Sequence, residues 1–223
     1  MNSNYCKKFG DIFWTTEHST NNIYKGGKEE DLLVLDSIKF KKNKILADIG
    51  GGNGYFSNYI KNNFNFRKVI NVEVNKALCE VSLKNYTNII TINTNVIDLE
   101  LKNKIDIIIF FNSFFYLPDN DYEKCFSNLK KLLKYDGIIL INKHSSDKKR
   151  SYSSFQILKI KLSNIKKYLF SKNFNFFIAL HYMFSKFDFN FERSEKLFLS
   201  ALEKNGLEEN FNPQNNFITI KNK

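Results

Sequence analysis

Short apolar runs alternate with segments of helical periodicity along the first two thirds of the chain. In the segments between the apolar runs, apolar side chains recur every three or four residues, which predicts helices at 29–38, 55–62, 75–84 and 121–133. Strands that alternate with helices at this pitch favour a parallel sheet with helices on both faces. The apolar runs themselves predict five strands, at 44–49, 68–74, 88–94, 105–111 and 138–142.

The pattern changes beyond residue 144. Residues 145–190 interrupt the alternation, and a helix is predicted again at 192–204, where Asn205-Gly206 ends it. Two short strands at 207–211 and 217–220 follow, and a hairpin of this kind adds antiparallel strands to a sheet edge. We therefore predict an α/β fold of the Rossmann-like, doubly wound type, with a mostly parallel seven-stranded sheet, a C-terminal antiparallel hairpin and a helical cap insertion.

A glycine-rich turn, Asp48-Ile49-Gly50-Gly51-Gly52-Asn53-Gly54, follows the first predicted strand. Glycines allow positive φ and close approach of the backbone to a ligand, and the next helix begins with unpaired N–H groups. The spacing is Gly-x-Gly-x-Gly, which differs from the dinucleotide fingerprint, and no Gly-Lys-Ser/Thr tail of a P-loop follows. Glu73 ends the second strand about twenty residues later, where an acid can accept hydrogen bonds from both hydroxyls of a ribose. A nucleoside ligand without a pyrophosphate fits this pair of features.

On these residues the sequence resembles the class I S-adenosylmethionine-dependent methyltransferases, from residue 44 to about residue 142. The glycine turn is similar to the family's first motif, and Glu73 is similar to its ribose-binding acid. Asn95-Val96 stands where the family usually has an Asp and a small residue near the adenine; the Asn is a departure that can still bind an amino group. Tyr135-Asp136-Gly137 stands where Pro-Gly-Gly is common, and Asp136-Gly137 is expected to turn into the fifth strand.

The resemblance implies an enzyme with S-adenosyl-L-methionine as its cofactor. His144, just past the fifth strand, is the first candidate for a general base, with a surface histidine as the alternative; Tyr116 and Asp119 come second. Trp14, Tyr24, Ser113 and Phe114 are expected in the substrate pocket. No metal is expected, because the three histidines lack ligand spacing. The residues expected to bind the cofactor are Asp48, Gly50, Gly52, Asn53, Gly54, Glu73, Val74, Asn95, Val96, Phe111 and Asn112.

Positive charge is concentrated in the segment that interrupts the alternation. The chain has a net charge of +11, and residues 143–172 hold nine Lys or Arg against one Asp. This concentration favours an anionic partner over a genome-wide preference for lysine. Apolar residues at helical spacing, namely Phe155, Leu158, Leu162, Ile165 and Leu169, predict an amphipathic helix there. We expect a cap with an apolar underside and a cationic rim. There are two alternatives: the aromatic residues serve only as core, or the helix lies on an anionic membrane surface.

These observations divide the chain into four parts. The resemblance implies an N-terminal segment over the cofactor site at residues 1–28 and an S-adenosylmethionine-binding core at residues 29–144. We expect the basic and aromatic cap insertion at residues 145–190, and the last helix and edge hairpin at residues 191–223. Three scattered cysteines, the absence of a secretory signal and apolar runs too short to span a bilayer predict a cytoplasmic protein.

The hypothesis for function is methyl transfer to an O or N atom of a small metabolite that is acidic or nucleotide-linked, such as a sugar. The single core favours it over an RNA methyltransferase, over a non-catalytic methyltransferase-fold binding subunit and over a lipid methyltransferase at a membrane surface. Methyltransferases that act on planar amide or base nitrogens carry an Asn/Asp-Pro-Pro-Tyr/Phe segment. The corresponding Asn112-Ser113-Phe114-Phe115 lacks both prolines, which disfavours such an acceptor. The substrate, the acceptor atom, the base, the oligomeric state and the order of the cap without ligand stay open.

Overall fold

The computed structural model of the protein describes residues 29–39, 41–142, 153–170, 175–184, 194–211 and 217–223. The chain forms one seven-stranded sheet with the strand order β3-β2-β1-β4-β5-β7-β6. The strands are β1 Ile45–Ile49, β2 Lys68–Glu73, β3 Ile90–Asn93, β4 Ile105–Phe110, β5 Leu133–Asn142, β6 Leu207–Phe211 and β7 Phe217–Asn222.

Strand directions confirm the predicted fold class. The first five strands are parallel to one another, and β7 is antiparallel to both β5 and β6. The α-helices are α1 Tyr55–Asn63, α2 Lys76–Asn85, α3 Tyr122–Leu132, α4 Ser154–Leu169, α5 Phe176–Phe184 and α6 Glu195–Lys204. Five 3₁₀ helices lie at Glu29–Ser37, Lys41–Asn43, Val96–Asp98, Phe114–Tyr116 and Asp119–Asp121.

Apolar cores lie on both faces of the sheet. Every residue of β4 is buried, and its alternating side chains divide between the two cores: Ile108 and Phe110 on one side, Ile107 and Ile109 on the other. Such burial on both faces explains why the central strands are continuous apolar runs. Parallel central strands also bring their carboxyl ends to one edge of the sheet, where the loops after β1, β2 and β4 meet.

Two local predictions were wrong in detail. Asp136-Gly137 was expected as a turn before the fifth strand, but β5 begins at Leu133 and runs through it as a bulge, because Leu133 pairs with Ile105 and Ile138 already pairs with Ile107. The segment predicted as a helix at 29–38 is a 3₁₀ helix over Glu29–Ser37. Its three-residue period places Leu32 and Leu35 on the buried face and leaves Leu33 exposed.

The amphipathic helix expected in the cap insertion is present as α4, but its packed face differs from the expected one. Phe155, Leu158, Leu162 and Leu169 are exposed, whereas Lys161 and Tyr168 are buried. Tyr168 lies at the side of α4 that contacts α5. Across the described ranges, no helix combines the length and the apolar character needed to cross a bilayer.

Candidate functional site

The glycine turn lies at the carboxyl end of β1, in the centre of the sheet, and leads directly into α1. Gly50, Gly52 and Gly54 have φ values of +71°, +59° and +79°, which side chains other than glycine rarely adopt. The N–H of Gly50 donates to the carbonyl of Val72 at 2.7 Å, so the turn is fastened to β2. Gly54 is the N-cap of α1 and has no side-chain cap bond.

Three of the four glycines in this turn are explained by packing within the protein. A Cβ on Gly50 would lie 2.5 Å from the Cβ of Ser113, and one on Gly54 would meet the hydroxyl of Ser82. A Cβ on Gly51 would meet the side chains of Asn71 and Asp48. At Gly52, by contrast, a Cβ would meet no atom within 4 Å. Gly52 therefore presents its backbone to open space, as a ligand-binding glycine must.

The carboxylate of Glu73, at the end of β2, is bound to the glycine turn. Its Oε2 accepts the N–H of Gly52 at 3.0 Å, and its Oε1 accepts the N–H of Asn75 at 2.8 Å. The side chain is 7% exposed, so burial and two hydrogen bonds fix its orientation. Each carboxylate oxygen has two lone pairs, so the group can still accept hydrogen bonds from a diol.

Asp48 is a buried acid beneath the same turn. The hydroxyl of Ser57, in α1, donates to its Oδ2 at 2.7 Å. Burial raises the pKa of Asp48 to about 7; the Ser57 hydrogen bond opposes this rise, and the negative charge of Glu73 adds to it. The first residue of the motif thus acts as a polar support for the turn, with a charge that depends on pH near neutrality.

Buried asparagine and hydroxyl side chains continue this support into the sheet. The amide of Asn71, in the middle of β2, donates to the carbonyl of Gly52 at 3.3 Å and to the hydroxyl of Ser82 at 3.2 Å. Ser82 shares a hydrogen bond with Thr91 at 2.7 Å. The sequence analysis missed Asn71 and Ser57. A fully buried polar residue inside an otherwise apolar strand was the signal that could have identified Asn71.

Four buried polar atoms around the turn lack a hydrogen-bond partner within the described part of the chain. They are Asp48 Oδ1, Asn53 Nδ2, Asn71 Oδ1 and Asn75 Nδ2. Buried polar groups without partners are uncommon in folded proteins, and they cluster where a ligand or water completes the bonding. Their position beside Gly52 and Glu73 makes this edge of the sheet the candidate binding site.

The expected adenine segment and the loop after β4 lie at the same edge. Asn95 is the N-cap of the 3₁₀ helix at Val96–Asp98, and its carboxamide oxygen accepts the N–H of Ile97 at 3.2 Å. The side chain of Val96 is buried and packs in the apolar core. Val74 is half-buried, and its carbonyl accepts the amide of Asn93 at 3.0 Å.

Asn112, just beyond β4, has the left-handed φ of +59°. Asn142, at the end of β5, holds it on both sides: its Oδ1 accepts the Asn112 N–H at 2.8 Å, and its amide donates to the Asn112 Oδ1 at 2.6 Å. Asn142 was also missed by the sequence analysis. Because two hydrogen bonds fix an unusual backbone conformation, the loop after β4 has a defined shape at the candidate site.

Two of the phenylalanines expected at the site pack in the cores. Phe111 is buried, with its ring 4.6 Å from that of Phe56. Phe114 is buried among Phe110, Tyr122, Phe126 and Phe198. Both rings therefore pack within the apolar cores, and their expected contacts with cofactor and substrate stay predictions.

The remaining candidates divide between the loop after β4 and the parts outside the described residues. The Ser113 hydroxyl donates to the carbonyl of Ile49, so it also supports the turn. Tyr116 is half-buried at the end of its 3₁₀ helix, and Asp119 accepts the N–H of Ser194 at 3.3 Å. His144, Trp14 and Tyr24 lie outside the described residues, so their expected roles stay predictions.

Comparison with known proteins agrees with this geometry. Residues 46–137 match a family model described as a methyltransferase domain. A protein of Invertebrate iridescent virus 6, named "Putative methyltransferase 235L", is 32% identical over 87 residues. That match covers 38% of this chain and 31% of the viral protein, so the chain spans about a third of the length of the curated relative that it matches.

Solved structures show the same fold. CalS10, an amino pentose methyltransferase from Micromonospora echinaspora, superposes with a TM-score of 0.59 and 10% identity, over 93% of this chain and 96% of its own. A TehB-like S-adenosylmethionine-dependent methyltransferase from Corynebacterium glutamicum superposes with a TM-score of 0.56 and 13% identity, over the whole of both chains.

Residues 46–137 therefore match a methyltransferase domain, and the chain has the fold of S-adenosylmethionine-dependent methyltransferases. The residues present fit the cofactor of that class. Gly52 leaves open space beside a fixed carboxylate, and unpartnered buried polar atoms surround it. An acid at the end of β2 can accept hydrogen bonds from ribose hydroxyls, and a glycine turn after β1 lets a ligand approach the backbone closely.

Proposed function

We propose that the protein transfers the methyl group of S-adenosylmethionine to an oxygen or nitrogen atom of a small anionic metabolite, such as a nucleotide-linked sugar. The observation that carries the proposal is Gly52, whose backbone faces open space while its N–H is fixed by Glu73. Packing excludes a side chain at the neighbouring glycines, whereas the space beside Gly52 is open to a ligand.

Different residues of the chain would bind different parts of the cofactor. Glu73 would accept hydrogen bonds from the ribose hydroxyls, and Asn95 would bind the adenine amino group. Gly52 would admit the cofactor close to the backbone, while Asp48 and Asn71 hold the turn in shape. When bound, S-adenosylmethionine would supply an electrophilic methyl group on a sulfonium: the lone pair of the acceptor would bond to the methyl carbon in line as the carbon–sulfur bond breaks, with S-adenosylhomocysteine as the leaving group. Alignment therefore carries most of the catalysis.

The proposal for the acceptor is based on the charge of one segment and on the positions of a few residues. Nine basic residues and one acidic residue between 143 and 172 support an anionic acceptor. For a hydroxyl acceptor, we propose that His144 takes the proton, with Tyr116 as the second candidate. Trp14, Tyr24 and Ser113 remain the proposed contacts of the substrate. These assignments follow from the family resemblance and from position in the chain.

Calorimetric titration with S-adenosylmethionine and S-adenosylhomocysteine tests the cofactor site. Gly52→Leu fills the open space, so we expect affinity to fall roughly tenfold or more. Gly206→Leu is the matched control, because Gly206 has the same φ of +59° but lies between α6 and β6. Both variants pay a similar backbone strain of about 1–2 kcal/mol. A folded wild-type protein that binds neither compound would contradict the proposal and favour a non-catalytic subunit.

The acceptor is tested by transfer of a labelled methyl group to panels of acidic metabolites, neutral metabolites and RNA. We expect incorporation into an acidic metabolite, with the label lost in the Gly52→Leu variant. Incorporation into RNA alone would contradict a small-molecule acceptor while leaving the cofactor site intact.

A further inference from the structure

Helices α4 and α5 pack against each other and leave large apolar side chains in water. Their contact is defined: the Lys161 ammonium donates to the carbonyl of Met183 at 3.3 Å, and the N–H of Asn175 donates to the Tyr168 hydroxyl at 3.0 Å. Tyr168 of α4 and Ala179 of α5 are buried. Nine large apolar residues of this pair are nevertheless exposed, namely Phe155, Leu158, Leu162, Leu169, Phe170, Phe176, Phe177, Leu180 and Phe184.

The exposed residues of α4 form one stripe along the helix. At about 100° per residue, Phe155, Leu158, Leu162 and Leu169 fall within an arc of about 60°, next to the packed side that holds Lys161 and Tyr168. Leu158 and Leu162 are 47% and 50% exposed, and Phe155 is 76% exposed. A stripe of this kind is the apolar face of an amphipathic helix without a cover.

Helix α5 repeats the arrangement with larger side chains. Phe176, Phe177, Leu180 and Phe184 fall within an arc of about 100°, away from the buried Ala179. Phe177 and Phe184 are 77% and 79% exposed. Folded proteins rarely leave several phenylalanines in water on adjacent helices unless a partner covers them.

The charge beside the stripe is entirely positive. Lys159 and Lys166 are exposed and lie along one edge of the apolar stripe of α4, within about 40° of Phe155. Neither α4 nor α5 contains an Asp or Glu. A second copy of this face would bring lysines against lysines with no acid to oppose them, so the charge disfavours self-association.

We propose that α4 and α5 dock on a membrane surface that contains anionic phospholipids. The leucines and phenylalanines would enter the boundary between headgroups and acyl chains, and Lys159 and Lys166 would lie at the lipid phosphates. A nucleic acid would satisfy the lysines but would leave the apolar stripe in water. The lipid surface satisfies both, because the two features lie side by side on one helix.

Co-sedimentation of the full chain with vesicles tests the proposal. We expect binding to vesicles of roughly three parts phosphatidylcholine to one part phosphatidylserine, and much weaker binding to phosphatidylcholine alone. Replacing Leu158, Leu162 and Phe177 together by Ser should weaken binding roughly tenfold or more. The control replaces Leu83 and Leu199 by Ser, since these leucines are exposed on α2 and α6, and it should bind as the wild type does.

A second pair of variants tests the charge. Lys159→Gln with Lys166→Gln should weaken binding to anionic vesicles roughly tenfold, whereas Lys84→Gln with Lys124→Gln, also exposed, should leave it unchanged. Circular dichroism confirms that all variants fold. The proposal is overturned if wild-type protein binds neither vesicle, if the Ser variant binds equally well, or if the only effect of the Ser changes is the loss of a dimer. Binding to RNA without binding to vesicles would equally overturn it.

Discussion

At the scale of single residues, Asp48 has an unusual environment for a carboxylate. Burial removes its water, and the charge of Glu73 adds to the penalty for ionisation, so the pKa of Asp48 rises to about 7 against a usual value of 3.8. The Ser57 hydroxyl offsets this rise in part. The folded protein therefore holds a proton on Asp48 over a pH range in which the unfolded chain has lost it.

This difference predicts the sign of a pH effect on stability. Between pH 4 and 7 the folded state binds more protons than the unfolded state, so stability falls as pH rises and the loss is complete above about pH 7. Asp48→Asn has no such charge. The free energy of unfolding of this variant, relative to that of the wild type, should therefore rise by up to about 4 kcal/mol as the pH is raised from 4 to 8. Urea denaturation at several pH values measures it; parallel profiles would contradict the burial of a charge here.

Residue-level prediction was possible where the sequence pattern itself marks a position. Glu73 was predicted because an apolar run ends there, and the glycine turn because glycines allow positive φ and close approach of a ligand. Asn71 was missed because a polar residue in an apolar strand marks the position but not its partner, the Gly52 carbonyl, which lies 19 residues away in the chain. Phe114 was expected at the pocket because it follows β4, but its ring packs against α3 and α6, which only tertiary structure reveals.

At the scale of elements, an aromatic cluster joins the loop after β4 to α3 and α6. Tyr122 and Phe126 of α3 meet Phe198 of α6 at ring distances of 6.1 and 5.5 Å, and Phe114 stacks on Tyr122 at 5.3 Å. Edge-to-face and stacked pairs of this kind add to the area that they bury. The cluster therefore holds the last helix against the core.

Phe198→Ala should cost about 3–5 kcal/mol of folding stability, because it leaves a cavity in a fully buried cluster. Leu197→Ala is the control on the same helix, since Leu197 is 46% exposed. Urea denaturation of both variants measures the difference. A loss at Phe198 no larger than that at Leu197 would contradict the packing of α6 described above.

Element prediction failed where two local signals compete. Asp136-Gly137 is a strong turn pair, yet β5 continues through it because Leu133 and Ile138 both pair with β4. The pairing is a long-range property, and no window of sequence contains it. For α4, the periodicity predicted the helix but not its packed side. The apolar stripe suggested one side, whereas the buried side holds Lys161 and Tyr168.

At the scale of the whole molecule, cofactor binding should appear as stability. A ligand that binds only the folded state adds about 2.7 kcal/mol at a hundredfold excess over its Kd. S-adenosylhomocysteine should thus raise the Tm of the wild type by several degrees. Gly52→Leu should lose this shift and Gly206→Leu should keep it. Thermal denaturation with and without ligand measures it, and an unchanged wild-type Tm would contradict a formed cofactor site.

The strand order of the last hairpin has a consequence for how the protein is made. β7 lies between β5 and β6 although it follows both in the chain, so β6 can join the sheet only after β7 has taken its place. Until residues 217–222 leave the ribosome, β5 presents an open, apolar edge with Ile139 and Ile141 ready to pair with any other strand. A nascent chain stalled just before that point is the form of this protein most prone to aggregate.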